Sequence, residues 1–151
     1  MINYQAIGWG TILLEDKFDH SKIIGDRFSY LTDAPIDMLQ AVYENLAHQK
    51  PTSVKFDAEG WEWILVFDLY VGEIHYITND ESEIQYKKIK VDRREFCKSM
   101  VEDIMKEIHE FTIWADVPST KSKVFSETEY ENRRKKIEDY CISISMMLKV
   151  V

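Results

Sequence analysis

The sequence predicts an α+β domain, an antiparallel meander of about four to six strands with three helices packed against it. Three observations lead there. Apolar periodicity runs from strand-like to helical, back to a series of strands, and then to two helices. The central strands are separated by turns too short for a crossover, so neighbours run antiparallel. The helix starts carry capping residues at fixed offsets. A length of 151 residues, 45% of them hydrophobic and 30% charged, fits one soluble domain over 1–151.

Residues 2 to 14 read as a first strand region, with Gly8 and Gly10 allowing a bulge or bend around Trp9. A second short strand runs from Lys22 to Tyr30, interrupted at Gly25-Asp26. Asp33 is placed to cap a helix that Pro35 enters in its first turn. Ile36, Leu39, Val42, Tyr43 and Leu46 give that helix its buried stripe, and Pro51 marks the exit. Strands are then expected over 53 to 58, 61 to 69, 73 to 78 and 84 to 91. Turns fall at Glu59-Gly60, at Tyr70-Val71-Gly72 and over 79 to 82. Trp61, Trp63, Leu65 and Phe67 share one face of the second of these strands. Ile64 and Val66 share the other with Glu62 and Asp68, which suits a central strand.

Asp92-Arg93-Arg94-Glu95 has capping-box spacing, and Phe96, Met100, Ile104, Ile108 and Phe111 follow as a stripe, widened by Val101 and Met105. Ser126 and Glu129 form a second box, Phe125 and Tyr130 have staple spacing, and Tyr130, Ile137, Cys141, Ile144 and Leu148 continue that face. The link over 115 to 124 reads as a loop. In the Arg133-Arg134-Lys135-Lys136 run, Glu129 to Arg133 and Glu131 to Lys135 are i,i+4 pairs, so the run reads as a solvated helix face.

Charge is the most informative functional feature. The chain carries 27 acids and 19 bases, a net of −8. Asp57, Glu59, Glu62, Asp68, Glu73, Asp80, Glu81 and Glu83 fall between residues 56 and 83, where there is no Lys or Arg. Without those eight the remainder balances at 19 against 19. Carboxylates are poor strand formers and repel across neighbouring strands, so a sheet that concentrates them gives up local preference. A concentrated negative field attracts basic partners and repels nucleic acid. Trp61 and Trp63 read as core, but an exposed Trp61 among the acids becomes an interface anchor, with Tyr70 as a second.

Residues 87 to 98 are the converse: Lys87, Lys88, Lys90, Arg93, Arg94 and Lys98 stand against Asp92 and Glu95. Arg93 and Arg94 fall in a first helical turn, where the dipole disfavours cations. These bases read as guarding a sheet edge and neutralising the acidic strands beside them. A phosphate or nucleic-acid patch is the competing reading.

Catalytic motifs are missing. His20, His48, His75 and His109 have no metal-binding spacing, the acidic turn over 79 to 83 lacks the spacing of a calcium loop, and no P-loop or nucleophile elbow occurs. Glu62 and Glu73 are a conceivable glycosidase pair that nothing in the spacing selects. Cys97 and Cys141 form no metal or redox pair and read as buried thiols in a reducing compartment. With no signal-like start and no apolar run long enough for a bilayer, a cytoplasmic protein without a membrane role is expected.

The passage Val54-Lys55-Phe56-Asp57-Ala58-Glu59-Gly60, the Trp-rich strand after it and the Asp92-Arg93-Arg94-Glu95-Phe96 helix start sit in a small, acidic, aromatic-rich chain. That profile resembles the immunity proteins that bacteria encode beside polymorphic or contact-dependent toxins. The resemblance implies a non-enzymatic role without cofactor or metal, in which an acidic face occludes the basic active site of a cognate toxin, often a nuclease. Asp57, Glu59, Glu62, Asp68 and Glu73 would meet the toxin's cations, with Trp61 or Tyr70 at the centre. Two other expectations stand beside it. One is a ligand-binding or hydrolytic module with a pocket between the sheet and the last two helices. The other is a structural or phage-encoded accessory protein.

Overall fold

A computed structural model describes residues 1–6, 8–80, 83–114 and 126–149. The strands are β1 (Ile2–Ala6), β2 (Trp9–Glu15), β3 (Ile23–Ser29), β4 (Thr52–Asp57), β5 (Glu62–Asp68), β6 (Glu73–Asp80) and β7 (Glu83–Lys90). The helices are α1 (Ala34–His48), α2 (Arg93–Lys106), α3 (Ile108–Thr112) and α4 (Glu127–Lys149). The strands form two antiparallel sheets, ordered β1-β2-β3 and β4-β5-β6-β7. The fold is α+β, as expected, but with two sheets where one was read.

Two local causes account for the difference. Gly8 takes φ +76°, and the 2–14 stretch turns back on itself as the β1–β2 hairpin instead of bending within one strand. At Gly25 the expected interruption is absent. Its φ of +116° lets the chain run through in continuous register with β2, and a Cβ there would lie 1.9 Å from the Ile12 carbonyl oxygen. The 96–111 stripe also divides into two helices at Glu107, whose carboxylate accepts the Tyr4 N–H at 2.8 Å.

The four-stranded sheet has a buried and an open face. Val54, Phe56, Trp63, Leu65, Phe67, Ile74, Tyr76 and Ile89 are buried on one side. Alternation sends Ile64, Val66, His75 and Ile77 to the other, where they are half-buried, with Tyr86 exposed. α1 packs on β4 and β5, α2 on β1 and α4, and α4 on α1. One hydrophobic cluster joins both sheets and all four helices. At its centre Trp63 stacks on Phe56 with ring centroids 4.2 Å apart, and Phe28 links Phe56 to Trp114. The buried indole N–H groups find partners, Trp63 on the Arg27 carbonyl at 2.7 Å and Trp114 on the Thr32 carbonyl at 2.9 Å.

The caps divide. The Asp92 carboxylate accepts the Glu95 N–H at 3.0 Å, and Ser126 and Glu129 bond reciprocally as a full box. Asp33 makes no cap bond with its side chain. It instead takes the Arg133 guanidinium at 2.6 and 3.1 Å, while Arg133 also donates to the Thr112 carbonyl at 2.8 Å. Arg133 therefore ties α4 to the start of α1 and the end of α3, beyond the solvated-face role read for it. In the α2 stripe Cys97 takes a buried place and Met105 is exposed. Cys97 and Cys141 are both buried free thiols, each pushed up to about 12 by burial. The loop read over 115 to 124, and Phe125, lie outside the described residues. No helix among the described residues is long and apolar enough to cross a membrane.

Candidate functional site

Strand direction decides where the acids go. β4 ends at Asp57 and β5 begins at Glu62, with Asp57 directly opposite Glu62. β6 ends at Asp80, opposite Glu83 at the start of β7. These residues crowd one end of the sheet. Asp68 lies at the far end of β5, opposite Glu73. Six residue steps of strand put ~20 Å between the two ends. The single continuous acidic patch expected from the sequence is therefore absent, because each turn reverses the chain and sends acids at the two ends of a strand to opposite ends of the sheet.

At the first end, Asp57 is half-buried and its carboxylate accepts the Glu59 N–H at 2.8 Å, which fixes the turn. The Asp57 backbone is anchored from both sides, its N–H on Thr32 Oγ1 at 2.7 Å and its carbonyl on Ser29 Oγ at 3.1 Å. Glu59 sits exposed at the tip with φ +52°, followed by Gly60 at +135°. Glu62 is exposed and paired with Lys55 at 2.7 Å. Asp57, Glu59 and Glu83 have no ion pair among the described residues. Trp61 stands half-buried in this group, neither core nor fully free. The Arg27 guanidinium lies 5.6 Å from its ring centre and 5.9 Å from that of Trp9.

Beside Trp61 opens a cleft of about 390 Å³, walled by Asp26, Gly60, Trp61, Tyr76, Thr78 and Asn79. Burial first, and then the Asp26 carboxylate, push the Tyr76 hydroxyl above its ordinary value. Asp26 is the residue that sequence reasoning missed. It belongs to the other sheet, 35 residues before Trp61, and no local spacing points to it.

At the second end Glu73 is neutralised, while Asp68 has no ion pair among the described residues. Glu73 is held by Lys90, by Lys88 at 3.3 Å and by His75 at 3.4 Å, and its side chain is only 15% exposed. The Lys90 ammonium, and then Lys88, hold the Glu73 carboxyl below its ordinary range. Lys88 and Lys90 thus do what the sequence assigned to the basic stretch. Tyr70 belongs here as well, its hydroxyl donating to the Leu46 carbonyl at 2.8 Å and its ring 4.8 Å from the Arg93 guanidinium. Of the seven residues named from the sequence, Asp57, Glu59, Trp61 and Glu62 come together, while Asp68, Tyr70 and Glu73 lie at the other end.

The Glu62–Glu73 pair does not form a hydrolytic site. It spans the length of the sheet, where glycosidase carboxylates stand roughly 5 to 9.5 Å apart. Among the described residues no group of three or more His, Cys, Asp or Glu could hold a metal ion. No protein-family model, curated protein or solved structure matches the chain.

Proposed function

We propose that the chain is a non-enzymatic, cytoplasmic inhibitor of a basic protein, of the immunity-protein kind, and that the Asp57–Glu62 end of the four-stranded sheet is the surface that covers its partner. The observation that carries this reading is the set of acids at this end of the sheet that have no ion pair among the described residues, Asp57, Glu59 and Glu83, at the same end as the half-buried Trp61. Glu73, already ion-paired, has little left to give a partner, and Asp68 stands beside it at the far end of the sheet, so neither belongs to the proposed interface. In this scheme the acidic rim speeds capture of a toxin's substrate-binding cations, and Trp61 slows release. The cleft beside Trp61 receives one Lys or Arg side chain of the partner, facing Asp26.

The test starts with capture from the native host by the tagged chain at low and high salt, followed by binding kinetics. A basic protein retained at low salt and inhibited by the chain is expected. Glu59→Lys with Glu83→Lys should slow association at least tenfold, and Glu73→Gln should not. Equal association by the double variant and the parent would refute the assignment.

A further inference from the structure

A groove of about 470 Å³ opens at the opposite end of the sheet from the acidic rim. The last turn of α1, the β5–β6 turn, the first turn of α2 and the last turns of α4 enclose it. Leu46, Tyr70, Arg93, Arg94, Met146 and Met147 line it. Its walls are mainly apolar, yet two arginines are among the residues that line it. Neither arginine pairs with a carboxylate among the described residues, although the chain carries a net charge of −8 and Lys88 and Lys90 beside them are both paired. The Arg93 guanidinium lies 4.8 Å from the Tyr70 ring centre, a cation–π contact that leaves its N–H donors to be matched by an anion. The dipole of α2 works against both cations, so their own helix gains nothing from them there.

We infer that this groove binds a carboxylate-headed aliphatic molecule of the fatty-acid class. A guanidinium presents the planar fork that a carboxylate matches bidentately, and two arginines line this groove. Leu46, Met146 and Met147 supply an apolar wall, and unbranched thioether chains adapt to a flexible tail. The volume falls within the range of small-ligand sites, roughly 300 to 1,000 Å³. Met146, 61% exposed, marks where the tail would lie. The inference is independent of the inhibitor reading, since it uses the other end of the molecule.

Isothermal titration of the full chain with decanoate, decanol and acetate tests it. Decanoate should bind at least tenfold more tightly than either decanol or acetate, because only decanoate satisfies both the cations and the wall. Arg93→Gln with Arg94→Gln should weaken decanoate tenfold or more and leave decanol unchanged. Met146→Asp should weaken it as well. Far-ultraviolet circular dichroism checks that each variant keeps its fold. The inference is overturned if decanoate does not bind, if decanol matches it, or if the double glutamine variant binds as the parent does. Tighter binding of an acidic peptide than of decanoate would also overturn it, and would make the occupant a protein.

Discussion

Arg133 shows how much one side chain can carry. It is 16% exposed and closes a fork on Asp33 while donating to the Thr112 carbonyl. Arg133→Met leaves Asp33 and that carbonyl without their partner and should cost about 2 kcal/mol in urea unfolding. Arg133→Lys should recover less than half of this, because an ammonium cannot span both carboxylate oxygens. Asp16 plays a comparable part where the sheets meet. Its buried carboxylate accepts the Lys90 N–H at 2.7 Å and the N–H groups of Phe18 and Asp19. Chiefly the Lys90 bond holds it below the ordinary aspartate value of 3.8. A carboxyl lowered in the folded state contributes stability that is complete above its unfolded value and is lost as pH falls through the folded one. Asp16→Asn should therefore lower stability at pH 7 and flatten the fall in urea midpoint below about pH 4. Asp37 and Asp103, raised by burial, act on stability with the opposite sign, while Glu73 and Asp92, also lowered, keep part of the fall in the variant. Such residues divide by reach. The Asp92 cap was legible because its partner lies three positions on. The role of Asp33 was not, because Arg133 lies 100 positions away.

At the scale of elements, two glycines with positive φ make a matched experiment. Gly25→Ala places a Cβ 1.9 Å from the Ile12 carbonyl and should cost about 3 kcal/mol or more, with loss of β2–β3 pairing. Gly60 at φ +135° has nothing within 4 Å of such a Cβ, so Gly60→Ala should cost only the conformational strain, about 1 to 2 kcal/mol. Thermal melts of the two variants check the order. The strands β4 to β7 were readable within two residues, because alternation and short turns agree there. The β1–β2 hairpin was not, since a single reversal at Gly8 carries little turn chemistry beside apolar neighbours. The division between α2 and α3 was also hidden. Ile108 and Phe111 keep the helical spacing across it, and only the Glu107 contact with Tyr4 of β1 shows why the chain breaks.

Over the whole molecule, charge is unevenly compensated. One end of the four-stranded sheet collects Asp57, Glu59 and Glu83, which have no ion pair among the described residues, and the other matches Glu73 with two lysines. Repulsion at the first end should be eased by salt. The melting temperature should rise between 10 mM and 0.5 M NaCl, and Glu59→Gln with Glu83→Gln should reduce that rise. The excess of acid was visible in the sequence, but its partition was not, because partition depends on which end of each strand a residue occupies. The two buried cysteines allow the opening of the molecule to be timed. A thiol near 12 behind packed helices is inert to an alkylating reagent at neutral pH until its helix lifts away. Cys97 times α2 and Cys141 times α4, so mass spectrometry of the two tagged peptides would show, without engineered labels, which helix leaves first or whether they leave as one.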